Sequence, residues 1–403
     1  MECFVPGRLV VGPDPEAGSS ERLLDELRDL FRGDLELDFD FAEILAANEV
    51  FPEFHKKGAL PFVGRVPEGS EWELAERLGD HPGVKAAMPD FTVRPSANYT
   101  LNSGAIDAAL KQIGGMPPSV QCGGGCRVAV LDTGVDRAIL GKANVSPTQM
   151  DARNPRAALA PPSDTNGHGT TVAAIIAAVA PGAEIVPIKV LDGTGSISNV
   201  LVGLYLARQM HMACDLINLS LSIDCWSNNC PQCYARAAAM TQPQLEALFA
   251  GALMGSSDVV AIAAGGKNIQ SLAAPAIFPD VIGVGSFHYG SNTPKSSFPN
   301  VPATRYVMAP GGEPNANDCF GDTGAAGSSK YLQGTSFATA FVTGFAARVV
   351  CNLKRPACGS PLQQPGGPRS DYLQSIVAEL VARSDRSFAA FDSNLHGIGA
   401  LRF

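Results

Sequence analysis

Ser336 lies in Gly334-Thr-Ser336-Phe-Ala-Thr-Ala340, directly before a long small and apolar run from Phe341 to Val350. That pattern predicts a helix opening at the serine. A helix N-terminus presents N–H groups that have no partner inside the helix, and it favours negative charge. A serine placed there can attack a carbonyl carbon while its own N–H receives the developing oxyanion. Taken alone, Gly-Thr-Ser before a helix is an ordinary N-cap. Two upstream segments change the reading. Arg127-Val-Ala-Val-Leu-Asp132-Thr-Gly134 is a short apolar run that ends in a carboxylate and a turn glycine. It predicts a buried strand carrying Asp132 at its C-terminal end. Asn166-Gly-His168-Gly-Thr-Thr-Val-Ala-Ala opens a second small-residue helix with a histidine. Gly167 and Gly169 leave room there for close backbone approach. Acyl transfer needs a nucleophile, a base with a pKa near neutral and a carboxylate to orient that base. Asp132, His168 and Ser336 supply all three. Each has a duller reading, as a turn residue, a core histidine or a cap. Of the six histidines, only His168 has flanking glycines and a small-residue helix behind it.

These segments, with Asn218-Leu-Ser-Leu221 and Ala263-Ala-Gly265, resemble the subtilisin-like serine proteases (subtilases) from about Gly115 to the C-terminus. The order Asp, His, Ser is the one subtilisin uses. The resemblance implies Asp132 as the orienting carboxylate, His168 as general base and then acid, and Ser336 as nucleophile. It implies polypeptide substrates, lying extended between two strand-like segments as an added strand would. Gly193 and Gly195 belong to the first segment and Ser220, Leu221 and Ser222 to the second, with Ala263, Ala264 and Gly265 alongside. The family usually has glycine where this chain has Ser222. It implies no cofactor for catalysis and leaves structural calcium open.

One departure bears on mechanism. The family's oxyanion asparagine would stand at position 266, where this chain has Gly266, followed by Lys267 and Asn268. Losing one oxyanion donor costs about 10²–10³ in turnover. Asn268, a backbone N–H or a water is left to fill the role. If nothing fills it, Gly266→Asn is expected to raise turnover. The alternative is a catalytically weak, subtilase-like regulatory or binding protein. The family's methionine beside the nucleophile is Phe337 here, which cannot form a sulfoxide.

Elements to position these residues are readable upstream and downstream. From Arg127 to Phe287, apolar runs alternate with small-residue helices. This predicts an α/β fold, a three-layer doubly wound and mostly parallel sheet, over residues 116–403. Gly123-Gly-Gly125 precedes its strand instead of following it, the wrong side for a dinucleotide fingerprint, and no phosphate loop is present. Residues 1–94 carry another pattern. Arg8–Gly12, Asp34–Phe41, Leu60–Val66 and Val84–Val93 read as strands, and Ser20–Phe31 and Ser70–Leu78 as helices with serine caps. That is βαββαβ, a small α+β ferredoxin-like domain. Before a subtilase domain it resembles the family's propeptide, which implies that the N-terminal domain acts as an intramolecular inhibitor. Residues 95–115, rich in polar and turn residues, read as a linker with a processing site.

The chain has 403 residues, 45% of them apolar, enough for a large and a small core. A net charge of −9 gives no reason to expect nucleic acid. No apolar run is expected to span a bilayer. The ten cysteines include the close spacings Cys122/Cys126 and Cys351/Cys358, which suggest disulfides and an oxidising compartment. Cys225, Cys230 and Cys233 have metal-like spacing but lack a clear fourth zinc ligand. Met1–Pro6 has neither the basic start nor the apolar core of a signal peptide. A secreted or extracytoplasmic protein is the expectation, with a cytoplasmic one as the alternative.

Overall fold

A computed structural model describes residues 4–14, 23, 25–27, 29, 31, 34–40, 60–93, 100–114, 122–141, 143–147, 149–153, 164–192, 195–208, 214–223, 242–254, 259–266, 272–288, 294–296, 298, 301–315, 317–322, 332–354, 372–388 and 391–403.

Side chains alternate across a strand, and the N-terminal sheet uses both of its faces. In β1 (Phe4–Pro13), Leu9 and Val11 join Leu27, Phe62, Leu74 and Leu78 in a small core. Val10 points the other way and joins Val63, Ala86, Met88 and Phe91 in the main core. β2 (Glu36–Asp40), β3 (Phe62–Arg65) and β4 (Val84–Val93) complete the unit in the order β2-β3-β1-β4, every neighbour antiparallel. One face lies under helical residues 23, 25–27 and 29 and helix α1 (Glu71–Gly79). Ser70 does not cap α1 as expected, because its Oγ donates to the Pro67 carbonyl at 2.5 Å. The Glu71 carboxylate instead accepts from the N–H groups of Gly7 and Gly69, at 2.7 and 2.9 Å.

Residues 100–114, within the expected linker, are built into the larger unit. β5 (Thr100–Leu101) pairs with a short strand at Gly321–Asp322. Helix α2 (Ser103–Gln112) is capped by Asn102, whose side chain accepts from the Ala105 N–H at 3.1 Å. Ala105, Ile106, Ala109, Leu110 and Ile113 recur at helical spacing and are buried in the main core.

The main sheet has seven strands: β6 (Arg127–Asp132), β7 (Met150–Asp151), β8 (Glu184–Lys189), β10 (Leu216–Leu219), β11 (Val260–Ala264), β12 (Val281–Phe287) and β13 (Tyr306–Pro310). Their order is β13-β12-β11-β10-β6-β8-β7, and every pair is parallel. Strands β10 to β13 are buried along their whole length, as a sheet covered on both faces requires. Beyond the single turn α3 (Arg137–Leu140), helices α4 (His168–Val179) and α7 (Thr335–Lys354) pack on each other and on β6. Helices α5 (Ile197–Ala207) and α6 (Gln242–Met254) pack on each other and against β4 of the N-terminal sheet. Directly ahead of α5 lies β9 (Gly195–Ser196), which pairs antiparallel with the end of β4. By length and composition alone α7 could cross a membrane, with mean hydropathy 1.3. It is the core helix of the fold: 78% of that apolar window is buried inside the protein.

From β6 the chain turns to β8 on one side, and from β10 onward it builds the other side. In open α/β sheets the crevice at the C-terminal strand ends, where strand order reverses, is the binding place. Asp132 ends β6 and Ser220 follows β10, so both lie at that crevice.

Candidate active site

Asp132 and His168 form a buried pair. The His168 Nδ1 lies 2.8 Å from Asp132 Oδ1 and 3.0 Å from Oδ2. A carboxylate on Nδ1 makes that nitrogen the protonated one and leaves the Nε2 lone pair to accept. Asp132 Oδ1 also accepts the Thr133 N–H at 2.8 Å, which fixes the carboxylate plane. The strand end and helix start touch closely here. A Cβ on Gly169 would strike the Gly134 carbonyl and come within 3.0 Å of Asp132 Cβ, so only glycine lets α4 cross the end of β6.

A residue missed in the sequence holds His168 in place. Asp164 Oδ1 accepts from the N–H groups of Asn166 and Gly167 at 3.0 and 2.7 Å. Its Oδ2 accepts from the Thr170 N–H at 2.9 Å and the Thr170 hydroxyl at 2.6 Å. This carboxylate ties the turn ahead of the helix to the Thr170 N–H, one of its orphan donors, while the His168 and Gly169 N–H groups donate to Asn166 Oδ1 at 3.3 Å and Thr133 Oγ1 at 2.9 Å. An acidic residue just ahead of a helix start was the signal available.

Ser336 is the second residue of α7, partly exposed. Ser220 Oγ donates to the Ser336 carbonyl at 2.7 Å. Gly334 N–H donates to the Gly311 carbonyl at 2.6 Å. The Thr335 hydroxyl donates to the Gly266 carbonyl at 3.1 Å or accepts the Gly266 N–H at 3.2 Å. Phe337 is buried, with its ring centroid 5.1 Å from that of His168 and 5.8 Å from that of Phe320. The residue after the serine therefore packs directly on the imidazole. Among the described residues no hydrogen bond joins Ser336 to His168, and no acceptor takes the Ser336 N–H. Such contacts are commonly long in enzymes without substrate.

Ala263 and Ala264 end β11, and Gly265 N–H donates to the Val284 carbonyl at 2.8 Å. Gly266 has φ +99, and a Cβ there would lie 2.9 Å from Ala273 Cβ. The backbone thus reverses one expectation: asparagine at 266 needs a conformation that L residues rarely adopt and a place already filled. Gly266→Asn is expected to lower the melting temperature and turnover together, read by thermal unfolding and a peptide assay. A stable, faster variant would contradict this. Asn268 and Gly193 lie outside the described residues. Gly195 lies in β9, opposite Val93, with Ser196 opposite Thr92. Leu221 is buried and Ser222 partly exposed beyond β10.

The expected Cys122–Cys126 link is not formed. Cys126 is fully buried at the foot of β6 among core side chains, and burial pushes its thiol pKa well up. Cys225, Cys230, Cys233 and Cys358 lie outside the described residues.

Likeness to known proteins gives the family from sequence and the fold from structure. The profile of the Subtilase family matches residues 123–363, more than half of the chain. Subtilisin BL of Lederbergia lenta is 34% identical over 245 residues, covering 56% of this chain and 77% of that protein. M-protease of Shouchella clausii strain KSM-K16 is 34% identical over 245 residues, covering 56% of this chain and 54% of its own length. Fervidolysin from Fervidobacterium pennivorans, a keratinolytic enzyme related to subtilisin, shares the fold at TM-score 0.63 and 19% identity, over 99% of this chain and 60% of its own. The chain belongs to the subtilase family of serine-type endopeptidases.

Proposed function

We propose that the chain hydrolyses peptide bonds through Asp132, His168 and Ser336, and that it is made as a self-processing zymogen. The buried Asp132–His168 pair at 2.8 Å, beside the helix start that carries Ser336, is the observation on which the chemistry rests. Ser336 Oγ attacks the scissile carbonyl carbon as His168 Nε2 takes its proton. Asp132 holds the Nδ1–H and stabilises the imidazolium. The oxyanion meets the Ser336 N–H. The C–N bond breaks as His168 returns the proton to the leaving amine, and water then hydrolyses the acyl-enzyme with His168 again as base. Pre-steady-state kinetics with an activated ester should show a burst of one leaving group per active enzyme. Linear release with no burst under substrate excess, together with loss-free turnover in Ser336→Ala, would contradict the scheme.

The inhibitor half of the reading is supported by strand pairing and burial. The order β2-β3-β1-β4 is that of a ferredoxin-like domain, and its second apolar face lies on α5 and α6. The end of β4 occupies the edge at Gly195 where substrate backbone is expected. Asp90, fully buried, accepts from Ser198 N–H and Oγ at 3.0 and 2.8 Å and pairs with Arg8 at 3.3 Å. Chain protection of this kind suits an enzyme working outside the cytoplasm, which is the location we favour.

Docking of this domain should depend on pH. Burial lifts the Asp90 carboxyl above its ordinary value, against the lowering pull of Arg8 and Ser198. The docked form then holds the proton more tightly than the released form. Docking weakens as pH rises from the ordinary carboxylate pKa, about 3.9, to the raised value, and is flat above it. Size-exclusion chromatography of the cleaved complex across that window should show increasing release. Asp90→Asn is expected to flatten the curve; an unchanged curve would assign the dependence elsewhere.

A side-chain swap tests the Phe337 placement. Mild peroxide should leave the wild type active once any reactive thiols are blocked, while Phe337→Met becomes sensitive, since its sulfur would lie against His168. An equally resistant methionine variant would contradict that geometry.

A further inference from the structure

Among the described residues, the turn that carries the nucleophile is held by neutral bonds from Ser220, Thr335 and Gly334, and by one charged group. That group is Lys295. Its backbone is fixed to the end of β12, because the N–H groups of Lys295 and Ser296 both donate to the Ser286 carbonyl, at 2.9 and 3.0 Å. Ser296 Oγ accepts the Ser286 N–H in return at 2.6 Å. From this anchor the side chain reaches across the strand ends. Its Nζ donates to the Gly312 carbonyl at 2.6 Å, to Glu313 Oε2 at 3.4 Å and to Gln333 Oε1. Glu313 is itself steadied by His288, whose Nδ1 lies 3.0 Å from Oε1.

An ammonium has three donors, and here three acceptors from two segments use them. One segment follows β13; the other is the turn at Gln333, three residues before Ser336. The side chains of Lys295 and Glu313 are each only 16% exposed, so little water competes for these bonds. Burial also pulls the Lys295 pKa down, the mark of a charge held away from solvent. With no resting bond between Ser336 and His168, the distance between them is left to the tethers of the turn. Misplacement of a reacting group by about 1 Å costs up to about 10² in rate.

We propose that Lys295 is a positioning residue: its bond to Gln333 sets where Ser336 stands relative to His168. This rests on Ser336 being the nucleophile. A tether of this kind acts on the attack step and not on substrate binding, so it makes a prediction that a merely stabilising ion pair does not. In Lys295→Met and in Gln333→Leu, kcat and the rate of Ser336 labelling by a fluorophosphonate should both fall about ten- to a hundred-fold. KM should stay near the wild-type value. The double variant should be no slower than the slower single one, because both substitutions break the same bond.

The proposal is overturned if Gln333→Leu keeps the full labelling rate, if the two losses multiply in the double variant, or if the change lies in KM alone. Gln333→Leu leaves Lys295 paired with Glu313, so it decides the matter even if Lys295→Met unfolds. A wild type that fails to label at Ser336 removes the nucleophile reading, and the tether falls with it. A wild type that labels normally beside unaffected variants removes the tether only.

Discussion

Ser336→Ala and His168→Ala are each expected to lower kcat by about 10⁶, a size carried over from subtilisin itself. The reason is that the two act as one unit. Without Oγ there is no atom to form the acyl-enzyme. Without the imidazole, Oγ keeps its proton and attacks poorly. The double variant should therefore be hardly slower than either single one. What survives is the catalysis that polarising the carbonyl and binding the chain provide, about 10³–10⁴ over water. Ser336→Ala should not unfold the protein, since Ser336 is partly exposed and makes no side-chain hydrogen bond among the described residues, whereas His168→Ala should also lower the melting temperature, because it leaves the buried Asp132 carboxylate without its partner. A steady-state assay with a chromogenic peptide, paired with thermal unfolding, checks this. Activity of Ser336→Ala at even a hundredth of wild type would mean another nucleophile.

Maturation should be all-or-none in the same variants. Wild-type protein is expected to cut itself between Val93 and Thr100, because β4 ends at the groove edge on one side and β5 is built into the large unit on the other. Both fragments should then migrate together, held by the apolar face of Val10, Val63, Met88 and Phe91. Ser336→Ala should remain a single chain of full length. Denaturing electrophoresis and mass spectrometry read the result directly. An intact wild type with full activity would show that the N-terminal unit is a permanent domain and not an inhibitor removed by cleavage.

Much of this was written locally in the chain. The strands β6, β8 and β11 are nearly continuous apolar runs, and such runs announce burial on both faces. His168 and Ser336 announce themselves through the small residues around them: Gly169 lets the backbone at Gly134 approach closely, and Gly334 takes a positive φ. Helix α2 was hidden by its context: polar residues at 95–104 suggest a linker, yet the apolar spacing from Ala105 to Ile113 is helical. The state of Gly266 was beyond the sequence. Its positive φ and the nearness of Ala273 come from the turn as a whole, and they decide that asparagine does not fit. Lys295 was equally silent, and Asp164 signalled itself only as an acidic residue just ahead of a helix start. A charged residue in a loop looks like a solvated one until the fold shows which backbone groups surround it. Cys122 and Cys126 are the converse case: proximity in sequence suggested a bond, and the two form none, with Cys126 buried in the core.

Every step of the proposed chemistry depends on Ser336 being a nucleophile activated by His168 and Asp132. Peptide mapping of protein treated with a fluorophosphonate tests it most directly, because the reagent phosphonylates only a serine whose proton a base can take. The wild type should carry one adduct, on the peptide containing Gly334-Thr-Ser336, and His168→Ala and Asp132→Asn should carry it far more slowly or not at all. An adduct elsewhere, or equal labelling of wild type and His168→Ala, would contradict the assignment.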